Sequence, residues 1–178
     1  MFQHPVELVA SSGGIKTLNP RLPNASSRDM RQAQAIERRA TVQANRFWQE
    51  ARAKHNVPAL GSLKVGSPTG SWRNRFLLRC DRRLPQSVFI VCGRNVQQDF
   101  GVDRLGSTLE DTLPPTLRDG VIRSCQRSID GSCPIEMEGS YGVSDAARVV
   151  YRSIFMPVRA MANDSGYIFG AYSCKQAA

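Results

Sequence analysis

Apolar residues are densest in two arms near the end of the chain, about Arg148–Met161 and Ser165–Cys174. β-Branched and aromatic residues dominate both arms and turn-forming residues at 162–166 separate them, so the pattern predicts a long β-hairpin. A strand that is apolar on both faces needs cover on both, from two layers of its own chain or from one layer and a second subunit. The two faces of the first arm carry Val149, Tyr151, Ser153 and Phe155 on one side, and Val150, Arg152, Ile154, Met156 and Val158 on the other.

Further strands and one long helix are predicted before this hairpin. Two short apolar runs around a turn that contains proline predict a second hairpin. A Pro-Pro pair then begins a helix whose apolar residues recur at helical spacing. In chain order, the predicted elements are strands at 73–81 and 87–93, short helical turns within 95–113, a helix at 114–129, a strand at 133–138 and a polar loop at 139–147.

The first third of the chain divides into an arm and a helix. Residues 1–28 contain few large apolar side chains, and their Gly, Pro, Ser and Asn residues predict a loosely ordered arm. A helix is predicted over 29–55, and it needs a surface to lie on because one of its faces is apolar. The rest, 56–178, is predicted to form one domain. The apolar helix face carries Ile36, Ala40, Phe47 and Ala51, with Trp48 beside them.

Positive charge is concentrated in the front half of the chain. The net charge is +9, and residues 1–83 carry 15 Lys and Arg against 5 Asp and Glu, whereas residues 84–178 carry 9 against 10. A basic segment can bind nucleic acid or anionic lipid, but Glu37 and Glu50 interrupt this one. We favour a solvated helix face, and nucleic-acid binding by the basic half is the alternative, which salt-dependent affinity would distinguish.

Neither a membrane span nor a zinc site is expected from the sequence. No stretch approaches the roughly 18 apolar residues of a spanning helix, and the first ten residues lack the pattern of a signal peptide, so we expect a cytoplasmic protein. The five cysteines form no CxxC pair and no Cys/His cluster. They are interpreted as reduced thiols, most of them buried.

The distribution of reactive residues argues against an enzyme. The only histidines, His4 and His55, precede the expected core, which excludes a Ser/His/Asp or Cys/His system there. No glycine-rich segment has the Lys-Ser/Thr ending of a phosphate-binding loop. Four acidic residues within the short helical turns are interpreted as helix caps and solvated charges rather than paired general acids. These are Asp99, Asp103, Glu110 and Asp111.

Three stretches in this order resemble the PAS-domain family. SVFIVCGRNVQQDFG resembles its second strand and following turn, RLGSTLEDTLPP resembles the entry to its central helices, and AARVVYRSIFMPVRAMANDSGYIFGAYS resembles its closing hairpin. The likeness covers about Phe47–Cys174. Over this range the chain is similar to a single-domain PAS subfamily common in alphaproteobacteria. It implies an α+β fold with a five-stranded antiparallel sheet in 2-1-5-4-3 order, a pocket between sheet and helices, and a sensory or partner-binding role.

The resemblance also bears on cofactors. Flavin-binding photosensor members carry a reactive Cys in an Asn-Cys-Arg-Phe-Leu-Gln motif, whereas GRNVQQ has Val96 at that position. Haem-binding members usually present a His from the central helices, and the corresponding segment here has none. We therefore expect neither haem, flavin nor metal. A Cys or Met axial ligand for haem and an unidentified small ligand stay open as alternatives. The expected pocket residues are Phe89, Val91, Leu117, Val121, Cys125, Tyr151, Phe155 and Phe169.

A PAS-like domain without an output module must act through binding. The resemblance and the doubly apolar hairpin together predict a homodimer that docks on a signalling protein such as a sensor kinase or a regulator. Phe47 and Trp48 are the expected anchors, because aromatic side chains carry a disproportionate share of interface energy. The competing interpretation is that both residues cap the sheet of their own domain. The full set of expected interface residues is Phe47, Trp48, Val150, Arg152, Ile154, Met156 and Tyr172.

Overall fold

The computed structural model describes residues 27–65, 72–144, 147–160 and 166–177. The arm predicted at 1–28 lies outside the described residues apart from its last two, as does most of the hairpin turn predicted at 162–166. The helices are α1 (Ser27–Arg52), α2 (Arg94–Phe100), α3 (Leu109–Thr112) and α4 (Pro115–Gly131). The strands are β1 (Arg75–Arg79), β2 (Val88–Cys92), β3 (Ile135–Ser144), β4 (Ala147–Val158) and β5 (Tyr167–Ala177).

The five strands form one antiparallel sheet in the order β2-β1-β5-β4-β3. The last strand of the chain, β5, therefore lies in the centre of the sheet, between β1 and β4. Helices α2, α3 and α4 follow one another in sequence between β2 and β3. This is the α+β fold and the strand order that the PAS resemblance implies, so the fold expectation is confirmed.

The central strands are buried on both faces, as the doubly apolar pattern of β4 predicts. Neighbouring residues Ile154 and Phe155 are 0% and 1% exposed, yet they belong to separate hydrophobic clusters. The inner cluster lies between the sheet and α2–α4 and contains Phe76, Leu78, Phe89, Phe100, Leu117, Val121, Cys125, Phe155, Ile168 and Tyr172. The outer cluster lies between the sheet and α1 and contains Ala44, Trp48, Leu63, Trp72, Leu77, Ile154, Met156, Val158, Phe169 and Ala171.

Helix α1 supplies the cover of the outer face, over β4 and β5. Ala44 and Trp48 are buried against the sheet, and the indole Nε1–H of Trp48 donates a buried hydrogen bond of 2.8 Å to the backbone carbonyl of Pro157. That bond satisfies a polar group that would otherwise be costly to bury. The apolar helix face predicted from the sequence therefore packs on the sheet of its own chain.

Strand β3 is longer than the sequence predicts. The predicted strand ended at Glu138 and was followed by a polar loop, whereas β3 continues to Ser144 and pairs with β4 along its length. An edge strand needs only one neighbour and carries polar residues readily, so its composition resembles that of a loop. Gly139 lies opposite Tyr151, and a Cβ at this glycine would come within 2.6 Å of the Tyr151 hydroxyl.

Candidate functional site

Aromatic rings occupy the middle of the inner cluster. The ring of Phe76 lies with its centroid 5.9 Å from that of Phe89, 6.0 Å from that of Phe155 and 6.5 Å from that of Phe100. Aromatic pairs at these separations are in favourable tilted or edge-to-face contact. The central space between sheet and helices is therefore packed with the protein's own side chains.

Six of the eight expected pocket residues lie in or against the inner cluster, and two do not. Phe89, Leu117, Val121, Cys125 and Phe155 are buried members, and Tyr151 packs against them while partly exposed. Their role in binding a ligand stays a prediction.

Val91 and Phe169 belong to the outer cluster, so their expected place in the pocket is corrected. Val91 changes face because the pairing of β1 with β2 shifts between Leu77 and Leu78, and this irregularity reverses the alternation beyond Phe89. Phe169 pairs with Met156 of β4 and shares its outer face.

Most of the residues expected at an interface are buried within the chain, so their assignment to an interface is corrected. Trp48, Ile154 and Met156 are 1%, 0% and 0% exposed because α1 and the sheet cover one another. Phe47 is half-buried between Trp72 and Phe169, with ring centroids 6.2 and 5.6 Å away. These four residues stabilise the fold of their own chain and offer little surface to a partner.

The remaining expected interface residues have different surroundings. Tyr172 is 0% exposed and lies in the inner cluster, because it pairs with Ser153 and so shares the face of Phe155. Arg152 forms an ion pair with Glu138 of β3, where its Nε–H donates at 3.1 Å. Val150 is 36% exposed and stays available for contact.

Polar side chains gather where the inner face meets α2, and we call them the tyrosine edge cluster: Asp99, Tyr141, Tyr151, Tyr172 and Cys174. The Tyr172 ring stacks on that of Tyr151 at 6.1 Å, and Tyr151 lies 6.0 Å from Tyr141. The thiol of Cys174 donates a hydrogen bond to the Asp99 carboxylate, which opposes the rise in the pKa of that carboxyl caused by burial. Burial likewise raises the pKa of Tyr141 and of Tyr172.

The sequence pattern does not reveal this cluster as a unit, because it favours Asp99 as a helix cap or a solvated charge and Tyr172 as an interface residue. The signal that would have found the cluster is the spacing of Tyr172 and Cys174 on one face of β5, opposite Ser153 and Tyr151 of β4. That signal becomes usable only once the register of the two strands is known.

The other acidic residues serve local structure. The Thr108 hydroxyl caps α3 by accepting a hydrogen bond from the Asp111 backbone N–H, and it donates one of 2.7 Å to the Asp111 carboxylate. The Glu110 carboxylate accepts a hydrogen bond of 2.6 Å from the Gln86 amide. The cap is therefore Thr108, and the Asp111 carboxylate accepts a hydrogen bond from the capping hydroxyl.

Several basic residues of the front half are held in contacts within the chain. Arg75 is 7% exposed, and its guanidinium lies 5.0 Å from the centre of the Phe47 ring and 5.8 Å from that of Trp72. Burial lowers the pKa of this guanidinium. Arg46 pairs with Glu50 at 2.9 Å on α1. Burial therefore takes the Arg75 charge away from any nucleic-acid surface, whereas Arg46 stays exposed on α1.

Within the described part of the chain, no three His, Cys, Asp or Glu side chains are grouped so that they could hold a metal ion. Nor does any described helix combine the length and the apolar character that crossing a membrane requires. A surface depression of about 250 Å³ lies at the end of β4, beside Val158, Arg159 and Tyr167. Its open wall is mainly apolar, and its polar side chains are those of Ser132, Arg159 and Tyr167.

The cysteines differ sharply in accessibility, which leads to a first prediction. Cys133 is exposed, whereas burial raises the pKa of Cys80 and of Cys92 to about 12 and also raises that of Cys125. Because the thiolate is the reactive form, we expect one fast thiol when the native protein reacts with an aromatic disulfide reagent at neutral pH. Cys133→Ser should remove the fast phase, and a fast thiol that persists in this variant would contradict the assignment.

Comparison with known proteins adds one similarity of fold. No protein-family model and no curated protein matches the chain. Among solved structures, the chain is similar to the photo-excited fungal blue-light photoreceptor Vivid, with 15% identity and a TM-score of 0.42 over 71% of this chain and 91% of that chain. The light-state dimer of Vivid gives 15% identity and a TM-score of 0.40 over 88% and 99% of the two chains. Because these values are low, the fold assignment rests on the strand order described above.

Proposed function

We propose that this chain is a cytoplasmic, non-catalytic sensory or adaptor module of the single-domain PAS type found in alphaproteobacteria. In this proposal it acts in bacterial signalling by forming a homodimer and by binding a signalling protein, without haem or flavin. The observation that carries the proposal is the cover of one sheet on both faces, by α2–α4 on the inner side and by α1 on the outer side.

The central strands connect the two faces. On β4, Phe155 packs into the inner cluster while its neighbour Ile154 packs beneath α1. The Ser153 hydroxyl donates a buried hydrogen bond of 2.9 Å to the Ala171 carbonyl, which ties β4 to β5. Because such interiors are close-packed, a change in the inner cluster shifts the strand and thereby α1. A ligand or partner that favours one arrangement of the inner face would change the population of arrangements that α1 presents.

The solvent side of α1 is the surface that we assign to self-association. Val42 is 64% exposed, and Arg39, Gln43 and Arg46 are exposed around it. Two α1 helices packed about a twofold axis would bury Val42 of each copy, and Arg46 of one could then pair with Glu50 of the other. This assignment replaces the sheet face, which α1 already covers.

A second prediction tests this surface. Val42→Glu should weaken the homodimer roughly tenfold, because the substitution places a charge in an apolar contact. The measurement is the mass in solution by light scattering across a series of protein concentrations. Gln43→Glu adds the same charge at the neighbouring exposed position and should leave the dimer nearly unchanged.

Two outcomes would contradict the homodimer as proposed. A wild-type mass equal to one chain at every concentration would exclude self-association. Equal weakening by Val42→Glu and Gln43→Glu would show that net charge, and not the Val42 contact, controls it.

The signalling role needs its own experiment. Wild type and Val42→Glu are immobilised at equal density, exposed to a lysate of the source bacterium, and the retained proteins are identified by mass spectrometry. Retention of a sensor kinase or a regulator by the wild type supports the proposal. If DNA or RNA of random sequence is retained instead, with affinity that falls steeply with salt, the nucleic-acid alternative replaces it.

A further inference from the structure

The tyrosine edge cluster has the chemistry of a site for a small organic cation. Its wall consists of aromatic rings in succession: Tyr141, Tyr151, Tyr172 and then Phe100, whose ring centroid is 4.4 Å from that of Tyr172. Tyr141 and Tyr151 are half-buried, so their rings stay partly accessible from solvent. The faces of such rings are electronegative and attract ammonium groups, most strongly where water is displaced.

A carboxylate lies beside this wall, and no ion pair among the described residues neutralises it. Asp99 is exposed at the end of α2 and accepts a hydrogen bond from the Cys174 thiol. It is near enough to Tyr141 and Tyr172 to raise the pKa of both phenols. The ion pairs of the described residues join Arg46 to Glu50 and Arg152 to Glu138, and neither involves Asp99. The whole chain has a net charge of +9, so a carboxylate beside two phenols, with no ion pair among the described residues, makes this place locally favourable for a cation.

The base of the cluster contains an unsatisfied polar group. Tyr172 is 0% exposed, and its hydroxyl, which lies beside that of Tyr141, has no partner in standard hydrogen-bonding geometry among the described residues. A buried hydroxyl without a partner costs free energy, and native structures rarely leave one so. A ligand that carried a hydrogen-bonding group into the cluster would satisfy it.

We propose that the tyrosine edge cluster binds a small amino alcohol, with its ammonium group between Asp99 and the rings of Tyr141 and Tyr151, and its hydroxyl on Tyr172. The site lies at the rim of the inner face and not in its centre, which Phe76 fills. An amino alcohol would then be the ligand class of the proposed sensory module. Only its effect on signalling rests on the proposed function. Binding itself is tested without reference to any partner.

The test is calorimetric titration of the full chain at constant ionic strength with three probes. Choline carries both the cation and the hydroxyl, tetramethylammonium carries the cation alone, and 3,3-dimethylbutan-1-ol is the neutral isostere of choline. We expect choline to bind about two- to tenfold more tightly than tetramethylammonium, because its hydroxyl forms one additional hydrogen bond. Choline should bind roughly tenfold more tightly than the isostere, because the isostere lacks the positive charge. Equal affinity for choline and the isostere, or no heat with either cation, would overturn the proposal.

Variants assign the affinity to particular atoms. Asp99→Asn should weaken the binding of both cations roughly tenfold. Asp103→Asn changes another exposed carboxylate nearby in sequence and should leave both affinities unchanged. Tyr172→Phe removes the unpaired hydroxyl and should abolish the difference between choline and tetramethylammonium without loss of folding. If that difference survives in Tyr172→Phe, the hydroxyl contact is wrong. Failure of the α1 dimer leaves each of these results unaffected, so the two proposals fail separately.

Discussion

Replacing Trp48 with alanine is expected to lower the free energy of unfolding by about 3–5 kcal/mol. Trp48 is 1% exposed between α1 and the sheet, and it is among the largest fully buried side chains. Its removal leaves a cavity beneath α1 that the sheet cannot close, because the neighbouring Ile154 and Met156 are fixed by strand pairing. It also leaves the Pro157 carbonyl without its buried donor.

Urea denaturation followed by circular dichroism measures this change. One further variant separates the contribution of the ring volume from that of the Nε1–H donor, and another is a control at an exposed position. Trp48→Phe keeps most of the ring volume but loses the Nε1–H donor, so it should lose about 1–3 kcal/mol, less than Trp48→Ala. Gln49→Ala alters an exposed neighbour on the same helix and should change the free energy of unfolding by no more than about 0.5 kcal/mol. A loss below about 1 kcal/mol for Trp48→Ala would mean that α1 does not stabilise the sheet.

The burial of Trp48 also changes how interface mutations are interpreted. Ile154→Glu, a natural choice for testing a sheet-face dimer, places an unpaired charge beneath α1 and disrupts the fold before it can report on assembly. Phe47 is held by Trp72, Phe169 and the Arg75 guanidinium, so it is equally unsuitable. Exposed positions such as Val42 separate assembly from folding, because their substitution costs the monomer little.

The order of the elements could be predicted because it follows from local pattern. The two apolar sets of β4 indicate a central strand, and the amphipathic face of α1 around Phe47 indicates a helix that lies on a surface. Together they predict a sheet with two layers of cover, which the structure has. The three stretches that resemble PAS domains supply the strand order, which no local pattern contains.

The membership of the two faces could not be predicted with the same success, because register is a property of strand pairs. Strict alternation places Val91 on the face of Phe89, and only the irregular pairing opposite Leu77 and Leu78 moves it to the outer face. The position of Tyr172 likewise depends on its pairing with Ser153. The tyrosine edge cluster therefore joins residues far apart in sequence, and its members carry no motif that marks them.

Gly170 shows how a contact across the sheet explains a residue that the sequence leaves unexplained. It lies in the stretch that resembles the PAS closing hairpin, and it pairs with Phe76 of β1 and Phe155 of β4. A Cβ at this position would come within 2.2 Å of the Phe76 ring. That ring cannot move aside, because Phe89, Phe100 and Phe155 surround it. Gly170 therefore makes room for the aromatic core of the inner cluster.

Gly170→Ala is accordingly expected to lower the free energy of unfolding by about 2–3 kcal/mol, although alanine is ordinarily the better residue in a strand. A double-mutant cycle in urea identifies the cause. In a Phe76→Leu background the ring is gone, so Gly170→Ala should cost at least about 1 kcal/mol less than it does in the wild type. Gly166→Ala, where a Cβ would meet no atom of the described residues within 4 Å, is the matched control and should be nearly neutral. An equal cost of Gly170→Ala in both backgrounds would mean that the backbone, and not the Phe76 ring, requires the glycine.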